Sequence, residues 1–308
     1  MSCPRISENV PSHTRQTLVE SLSISAVNFR CVSGVEPEGL EEPNPTNSIV
    51  FVRRGVFRRT HRDETLLADP NHILFFNASQ PYRYSHPIPG GDDCTILAVA
   101  TTAALELVAQ HAPRDAERTE TPFRLDYGLC SAHVARLHYE FLALVRRAAP
   151  MVAVEDALSE LAQEGLRAAY ETHGRLRQTK PLSFGARRRQ RDLCEAVKVT
   201  VNKRIESLPS LGELAQSLDC SPFHLSRTFH QMTGMSLRRY VTRLRTSMAA
   251  ERLANGAKDL TDLALDLGFA DHSHFTNTFC KEWGVPPSRV RARLSLNGAL
   301  WDKSQKTS

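Results

Sequence analysis

Two groups of side chains in this 308-residue chain have the types and spacing that recognition or catalysis needs. The first is repeated. Phe223, His224, Ser226 and Arg227 find counterparts at matching positions further along, in His272, Ser273, His274, Thr276 and Asn277. An arginine fork bonds guanine bidentately, asparagine does the same with adenine, and His, Ser and Thr are short adaptable donors. That set suits the reading of base edges rather than the making of bonds. The second group is His61, His86 and Cys94, expected to line a ligand pocket in the N-terminal half. A catalytic metal needs three or four preorganised ligands. His61, His86 and Cys94 do not by themselves make such a set, so neither a metal nor any other cofactor is expected. The chain has no glycine-rich phosphate loop, no G-x-S-x-G elbow and no helix with paired His and Glu ligands, so no residue is assigned a catalytic role.

Each repeated set must stand on a helix whose opposite face is buried. Ser210 can cap a short helix over residues 211–218, with Leu214, Ala215 and Leu218 inward. The turn Asp219-Cys220-Ser221-Pro222 follows, in which Ser221 suits an N-cap and Pro222 the first helical position. The next helix, residues 222–233, buries Leu225 and Phe229 at i and i+4 and stops at Gly234. The design recurs with a first helix over 260–267, the turn Gly268-Phe269-Ala270 and the cap Asp271. Its second helix, 272–283, turns Phe275, Phe279 and Trp283 inward and stops at Gly284. Two helix-turn-helix units in tandem leave two polar faces free at matching positions. Between them residues 236–253 form one helix of about 18 residues, roughly 27 Å long. A rod of that size holds two recognition helices about one DNA turn, roughly 34 Å, apart.

Upstream, residues 186–205 carry Leu193, Val197, Val201 and Ile205 on one helical face. Arg187, Arg188, Arg189 and Arg191 are either a solvated face or a support at phosphates. Residues 1–17 read as a flexible arm. Short β-type runs at 23–29, 48–52, 72–76 and 94–100, broken by Pro, Gly, Asn and Asp, predict a small barrel or sandwich. The stretch from His86 to Cys94 is rich in turn residues and reads either as a pocket mouth or as a plain hairpin connection. From Thr102 the apolar spacing becomes helical, over 103–111, 130–148 and 154–170, which suits a core-facing bundle or a dimer seam. Residues 172–185 read as an interdomain linker.

Composition agrees with a two-domain globular protein: 41% hydrophobic and 24% charged residues. The net charge of +5 is concentrated. Residues 198–293 hold 14 Lys/Arg against 9 Asp/Glu, and the rest of the chain is balanced. A localised basic excess is what a phosphate-rich partner requires. Seven scattered cysteines without a C-x-x-C pair argue against a disulfide framework, and no apolar run is long enough to span a bilayer. A polar first segment is not a secretory signal, so a reducing cytoplasm is the expected compartment.

The C-terminal residues also resemble the AraC/XylS family. Leu214-Ala215, Ser221-Pro222, His224-Leu225-Ser226-Arg227, Phe229, Thr233-Gly234 and Tyr240 look like the first half of its signature. Ala264-Leu265-Asp266-Leu267-Gly268-Phe269, Ser273, Phe275, Phe279, Trp283-Gly284-Val285-Pro286-Pro287 and Arg291 look like the second. The resemblance covers roughly a third of the chain. It implies a regulator of transcription with a separate sensory or dimerisation domain, and bases faced by Phe223, Ser226, Arg227, His272, Ser273, Thr276 and Asn277. Asn277 departs from the longer side chain that many members carry there. The N-terminal half more weakly resembles a cupin. Gly55 and His61 keep their spacing, but Asp63 replaces the second histidine, and Pro81 and His86 keep theirs around Arg83. The expected fold is α+β: an arm (1–17), a cupin-like sensory barrel (18–129), a helical dimerisation and linker region (130–180), and a double helix-turn-helix domain (186–296). Double-stranded promoter DNA, RNA polymerase, a small-molecule effector and a second copy of the chain are the partners implied. Two alternatives stay open: a constitutive regulator whose barrel only dimerises, and a metal-binding cupin enzyme tethered to DNA.

Overall fold

The computed structural model describes residues 12–35, 37–62, 64–117, 119–176 and 183–294. The fold is α+β. Its strands are β1 (Ser12–Val19), β2 (Ile24–Val32), β3 (Glu42–Pro43), β4 (Asn47–Gly55), β5 (Phe57–His61), β6 (Glu64–Ala68), β7 (His72–Phe76), β8 (Pro81–Ser85), β9 (Asp92–Val99) and β10 (Tyr127–Leu129). They form two antiparallel sheets, one ordered β1-β2-β9-β4-β7-β10 and the other β3-β8-β5-β6. β1 corrects the expected arm. Residues 1–11 lie outside the described part, but Ser12–Val19 pair with β2 from Ser12↔Val32 onward. The mostly polar sequence of β1 suits an edge strand, which has one neighbour and an open outer side.

Helices α1 (Thr101–Ala109), α2 (Ala132–Arg146) and α3 (Met151–Leu176) cover the outer face of the larger sheet. Strand residues alternate between faces, so a sheet covered on both sides buries every residue of its central strands. β7 is buried throughout, and β4 from Asn47 to Arg53. Val50, Val52, Leu74, Phe76 and Cys94 meet Phe57, Ala68 and Tyr82 between the sheets. Ile49, Phe51, Ile73, Phe75 and Leu97 meet Phe141, Leu158 and Leu161 on the helical side. Helix α3 comes closest at β10. A Cβ on Gly128 would lie 2.6 Å from the Ala169 Cα, an approach only glycine permits.

Residues 177–182 lie outside the described part; of the expected linker 172–185, residues 172–176 belong to α3 and 184–185 to the next helix, and from there the chain is helical. The elements are α4 (Phe184–Lys203), α5 (Leu211–Ser217), α6 (Pro222–Thr233), α7 (Leu237–Ala254), α8 (Leu260–Asp266), α9 (His272–Trp283) and α10 (Pro287–Leu294). The first unit, α5 and α6, closes a core of Val197, Val201, Leu214, Leu225, Phe229, Tyr240 and Leu244. The second unit, α8 and α9, has a core continuous with that of the N-terminal part: Phe275, Phe279 and Trp283 share one apolar cluster with Tyr139 and Phe141. The Tyr139 and Trp283 ring centroids are 5.8 Å apart. Among the described residues no helix is long and apolar enough to cross a membrane.

Candidate nucleic-acid interface

Local sequence fixes each recognition helix. In α5 the Ser210 Oγ accepts from Glu213 N–H at 3.3 Å, and the Glu213 carboxylate accepts from Ser210 N–H at 2.8 Å, a reciprocal capping box. In α6 the Ser221 Oγ accepts from His224 N–H at 3.2 Å, with Pro222 at the helix start. In α9 the Asp271 carboxylate does the same for His274 N–H at 2.7 Å. Gly234 and Gly284 end the two helices in the left-handed region, at φ 71° in both. The turn inside each unit also holds a left-handed residue: Gly268 at φ 74° in the second, Asp219 at φ 50° in the first. Aspartate tolerates that region better than most side chains.

With Leu225, Phe229, Phe275, Phe279 and Trp283 buried, the expected polar faces point outward. Phe223, His224, Arg227, His272, Ser273, His274 and Asn277 are exposed, and Ser226 and Thr276 are half-buried. Phe223 is 75% exposed, a large apolar ring presented to solvent. His274 is partly committed to its own turn: its Nδ1 accepts from Ala270 N–H at 3.4 Å, and its ring meets Phe269 edge-on. Arg187, Arg188 and Arg189 are exposed on α4. Replacing Ser221 with Ala should cost about 1 kcal/mol of stability through the lost cap. A melting temperature identical to that of the natural chain would mean that the cap does not define the start of α6.

The helix between the units differs most from the sequence expectation. α7 has the expected length, yet Arg243 and Glu251 among its charged residues point into the protein. Arg243 donates to the Cys130 carbonyl, and burial lowers its pKa. Glu251 is 3% exposed. It lies 3.5 Å from Arg53 of β4, accepts from the Tyr139 hydroxyl at 2.9 Å and from Asn255 Nδ2 at 3.0 Å. At the other end of α7 the Tyr240 hydroxyl donates to Asp69, and Asn71 Nδ2 donates to the Tyr240 carbonyl at 3.3 Å. Asp69 also accepts from Asn71 N–H and from His72 Nδ1, both at 2.9 Å, and His72 Nε2 faces Lys198 Nζ of α4 at 2.9 Å. Burial alone would raise the Asp69 pKa, but His72, Lys198 and Tyr240 outweigh it and hold the carboxylate well below its usual range. Burial and then the Lys198 charge lower the pKa of His72, which keeps that ring neutral. Both ends of α7 are thus fastened to the N-terminal part by buried polar groups.

The second candidate group divides. His61 ends β5, with its Nδ1 2.9 Å from the Pro81 carbonyl and its ring 4.8 Å from Tyr82. Arg58 pairs with Ser85 and Thr60 with Arg83, so His86 lies beyond one end of this ladder and His61 beyond the other. The separation is about four residues, roughly 13 Å of strand. His86 and Cys94 do come together, through a residue outside the expected set. Asp92 Oδ1 is 2.9 Å from His86 Nε2, and Asp92 Oδ2 accepts from the Cys94 thiol at 3.1 Å. Burial opposes charge on His86, but hydrogen bonds to Asp92 and Cys31 win and push its pKa up to about 10. Asp63 lies outside the described residues.

A family described as a helix-turn-helix domain matches residues 214–293. The bifunctional transcriptional activator and DNA repair enzyme AdaA of Bacillus subtilis is 31% identical over 91 residues, 30% of this chain and 43% of AdaA. The HTH-type transcriptional activator RhaS of Yersinia pestis is 37% identical over 70 residues, 23% of this chain and 26% of RhaS. The chain therefore spans less than half the length of these relatives. Among solved structures, apo ToxT of Vibrio cholerae covers 90% of this chain and 99% of its own, at 13% identity and a TM-score of 0.38. With the paired helices, their caps and this match in place, residues 214–293 are similar to a helix-turn-helix domain.

Proposed function

We propose that this protein is a sequence-specific DNA-binding regulator of transcription, responsive to a small-molecule effector, that reads two successive major-groove segments per chain. The observation that carries this reading is the pair of exposed polar faces on α6 and α9, within a domain matched as helix-turn-helix. Arg227 is assigned to guanine and Asn277 to adenine. The exposed ring of Phe223 suits a thymine methyl group. Ser226, His224, His272, Ser273, His274 and Thr276 supply shorter contacts to bases or phosphates. Double-stranded promoter DNA is the partner these residues fit. Assembly as a homodimer and contact with RNA polymerase belong to the same reading, since the relatives AdaA and RhaS are named as activators.

Responsiveness rests on the fastening of α7. A ligand acts on an equilibrium only through contacts that differ between its two states. Helix α7 joins the two units, and its buried partners Asp69 and Arg53 belong to the N-terminal sheets. A groove lined by Arg136, Tyr139, Arg147, Trp283 and Arg293 runs between α2 and the α9–α10 end, so a small molecule held there would touch both parts.

The test is selection of binding sites from random duplexes by the full-length chain, followed by footprinting. The expected motif is bipartite, with two short elements about 10–10.5 base pairs apart for each chain. Binding without any enriched sequence would overturn the reading.

A further inference from the structure

Cys31, His86 and Asp92, all buried, bring one sulfur, one ring nitrogen and one carboxylate oxygen within 4.8 Å of one another. The fold makes this meeting. Cys31 of β2 and Asp92 of β9 are direct cross-strand partners, so their side chains leave the sheet on one face. His86 follows β8, and the loop after it returns onto β2, where Gly90 N–H donates to the Ser33 carbonyl at 2.9 Å. Gly91, at φ 65°, sits so close to Cys31 that a Cβ there would lie 2.0 Å from the Cys31 carbonyl oxygen. The loop is thus pressed against the strand that bears the thiol.

We propose that Cys31, His86 and Asp92 form a binding site for a thiophilic divalent cation, with Zn²⁺ as its type. A thiolate and an imidazole select zinc-like ions, whereas Mg²⁺ and Ca²⁺ require sets of oxygens that a single carboxylate does not supply. Charge balance agrees. A thiolate and a carboxylate neutralise a divalent ion, so the buried site gains no net charge. Ligand atoms around a tetrahedral zinc, with bonds of about 2.0–2.3 Å, lie roughly 3.3–3.8 Å apart, a spacing small side-chain rotations reach from here. The ion takes the place of the protons that now join the three side chains. Cys94, whose thiol donates to the second Asp92 oxygen, positions the carboxylate as outer-shell partners do. The site is independent of the DNA-binding reading and stands or falls without it.

The experiment uses the full-length chain, stripped with a chelator and kept reduced with a non-thiol reductant, titrated with Zn²⁺ against a chromophoric competitor and separately with Co²⁺. One ion should bind per chain, and Co²⁺ should give a thiolate charge-transfer band. Cys31→Ser should abolish that band and weaken Zn²⁺ binding by about 100-fold or more, and Cys94→Ala should weaken it by about 10-fold while keeping the stoichiometry. Absence of the thiolate band, or unchanged affinity in a folded Cys31→Ser chain, would overturn the proposal. A measurement on the natural chain guards against variants that fail to fold. Zn²⁺ should slow alkylation of Cys31, followed peptide by peptide, by about 10-fold or more in mild denaturant. An unchanged rate would count equally against the site.

Discussion

Glu251→Ala should lower the stability of the whole chain by about 3–5 kcal/mol, because it leaves the buried Arg53 cation, which also donates to Asn28, without the carboxylate that balances its charge. Arg53 is 1% exposed, and Glu251 is the carboxylate it faces, at 3.5 Å. The same substitution takes the acceptor from the Tyr139 hydroxyl and one of two acceptors from Asn255 Nδ2, which keeps the Glu251 backbone carbonyl. At about 2–4 °C per kcal/mol for a protein of this size class, the melting temperature should fall by roughly 6–20 °C. Glu251→Gln keeps acceptor capacity and should lose less. Replacing Arg53 and Glu251 together by Met should recover much of the loss, since the main penalty is the unpaired charge rather than the absence of the pair. An Ala variant as stable as the natural chain would show that Arg53 and Glu251 are not coupled, and the fastening of α7 at its C-terminal end would be wrong. On the proposed function, a folded Glu251→Gln chain should bind its DNA with altered dependence on effector, because one of the two fastenings is loosened.

What the sequence revealed follows from how far apart the determinants lie. Helices α6 and α9 were legible to the residue because their starts and stops are local: Ser221, Pro222 and Gly234, then Asp271 and Gly284. β7 was legible because five apolar or buried residues in a row between turn residues admit little else. Helix α10 is hidden in the sequence because Pro286-Pro287 resembles a stop; Pro287 instead occupies the first helical position, where a missing N–H costs nothing. Strand β1 was hidden by its polar sequence, and β10 by having three residues. The larger failures concern charge. Arg243 and Glu251 look like solvent-facing residues of an amphipathic rod, and only their distant partners Cys130 and Arg53 show otherwise. Cys31 and Asp92 escaped for the same reason, because strand register across β2 and β9 joins them and no local pattern announces it. The same kind of distant contact ties the second helix-turn-helix unit to the N-terminal part. Phe275, Phe279 and Trp283 share their cluster with Tyr139 and Phe141, so a fragment cut there would expose that apolar face.

The DNA reading makes its sharpest claim at Arg227 and Asn277. Both are exposed, one turn into helices of identical length that start from side-chain caps. If each reads a base, Arg227→Ala should cost about 1–3 kcal/mol, a loss of roughly 5–150-fold, and should relax preference at a single guanine. Asn277→Ala should act in the same way on a single adenine in the other element, about 10–10.5 base pairs away. Well-separated contacts contribute almost additively, so the double variant should lose about 2–6 kcal/mol and bind its selected site little better than random duplex. Neither residue takes part in the buried network around α7, so melting temperatures should stay at the natural value. The measurement is competition binding against a panel of single-base variants of the selected site, repeated at several salt concentrations. A phosphate contact behaves differently: its loss weakens all duplexes alike and makes the salt dependence shallower. If both variants gave that uniform pattern, the two helices would be holding the backbone, and base reading would have to be reassigned to Phe223, Ser226, His272 and Thr276.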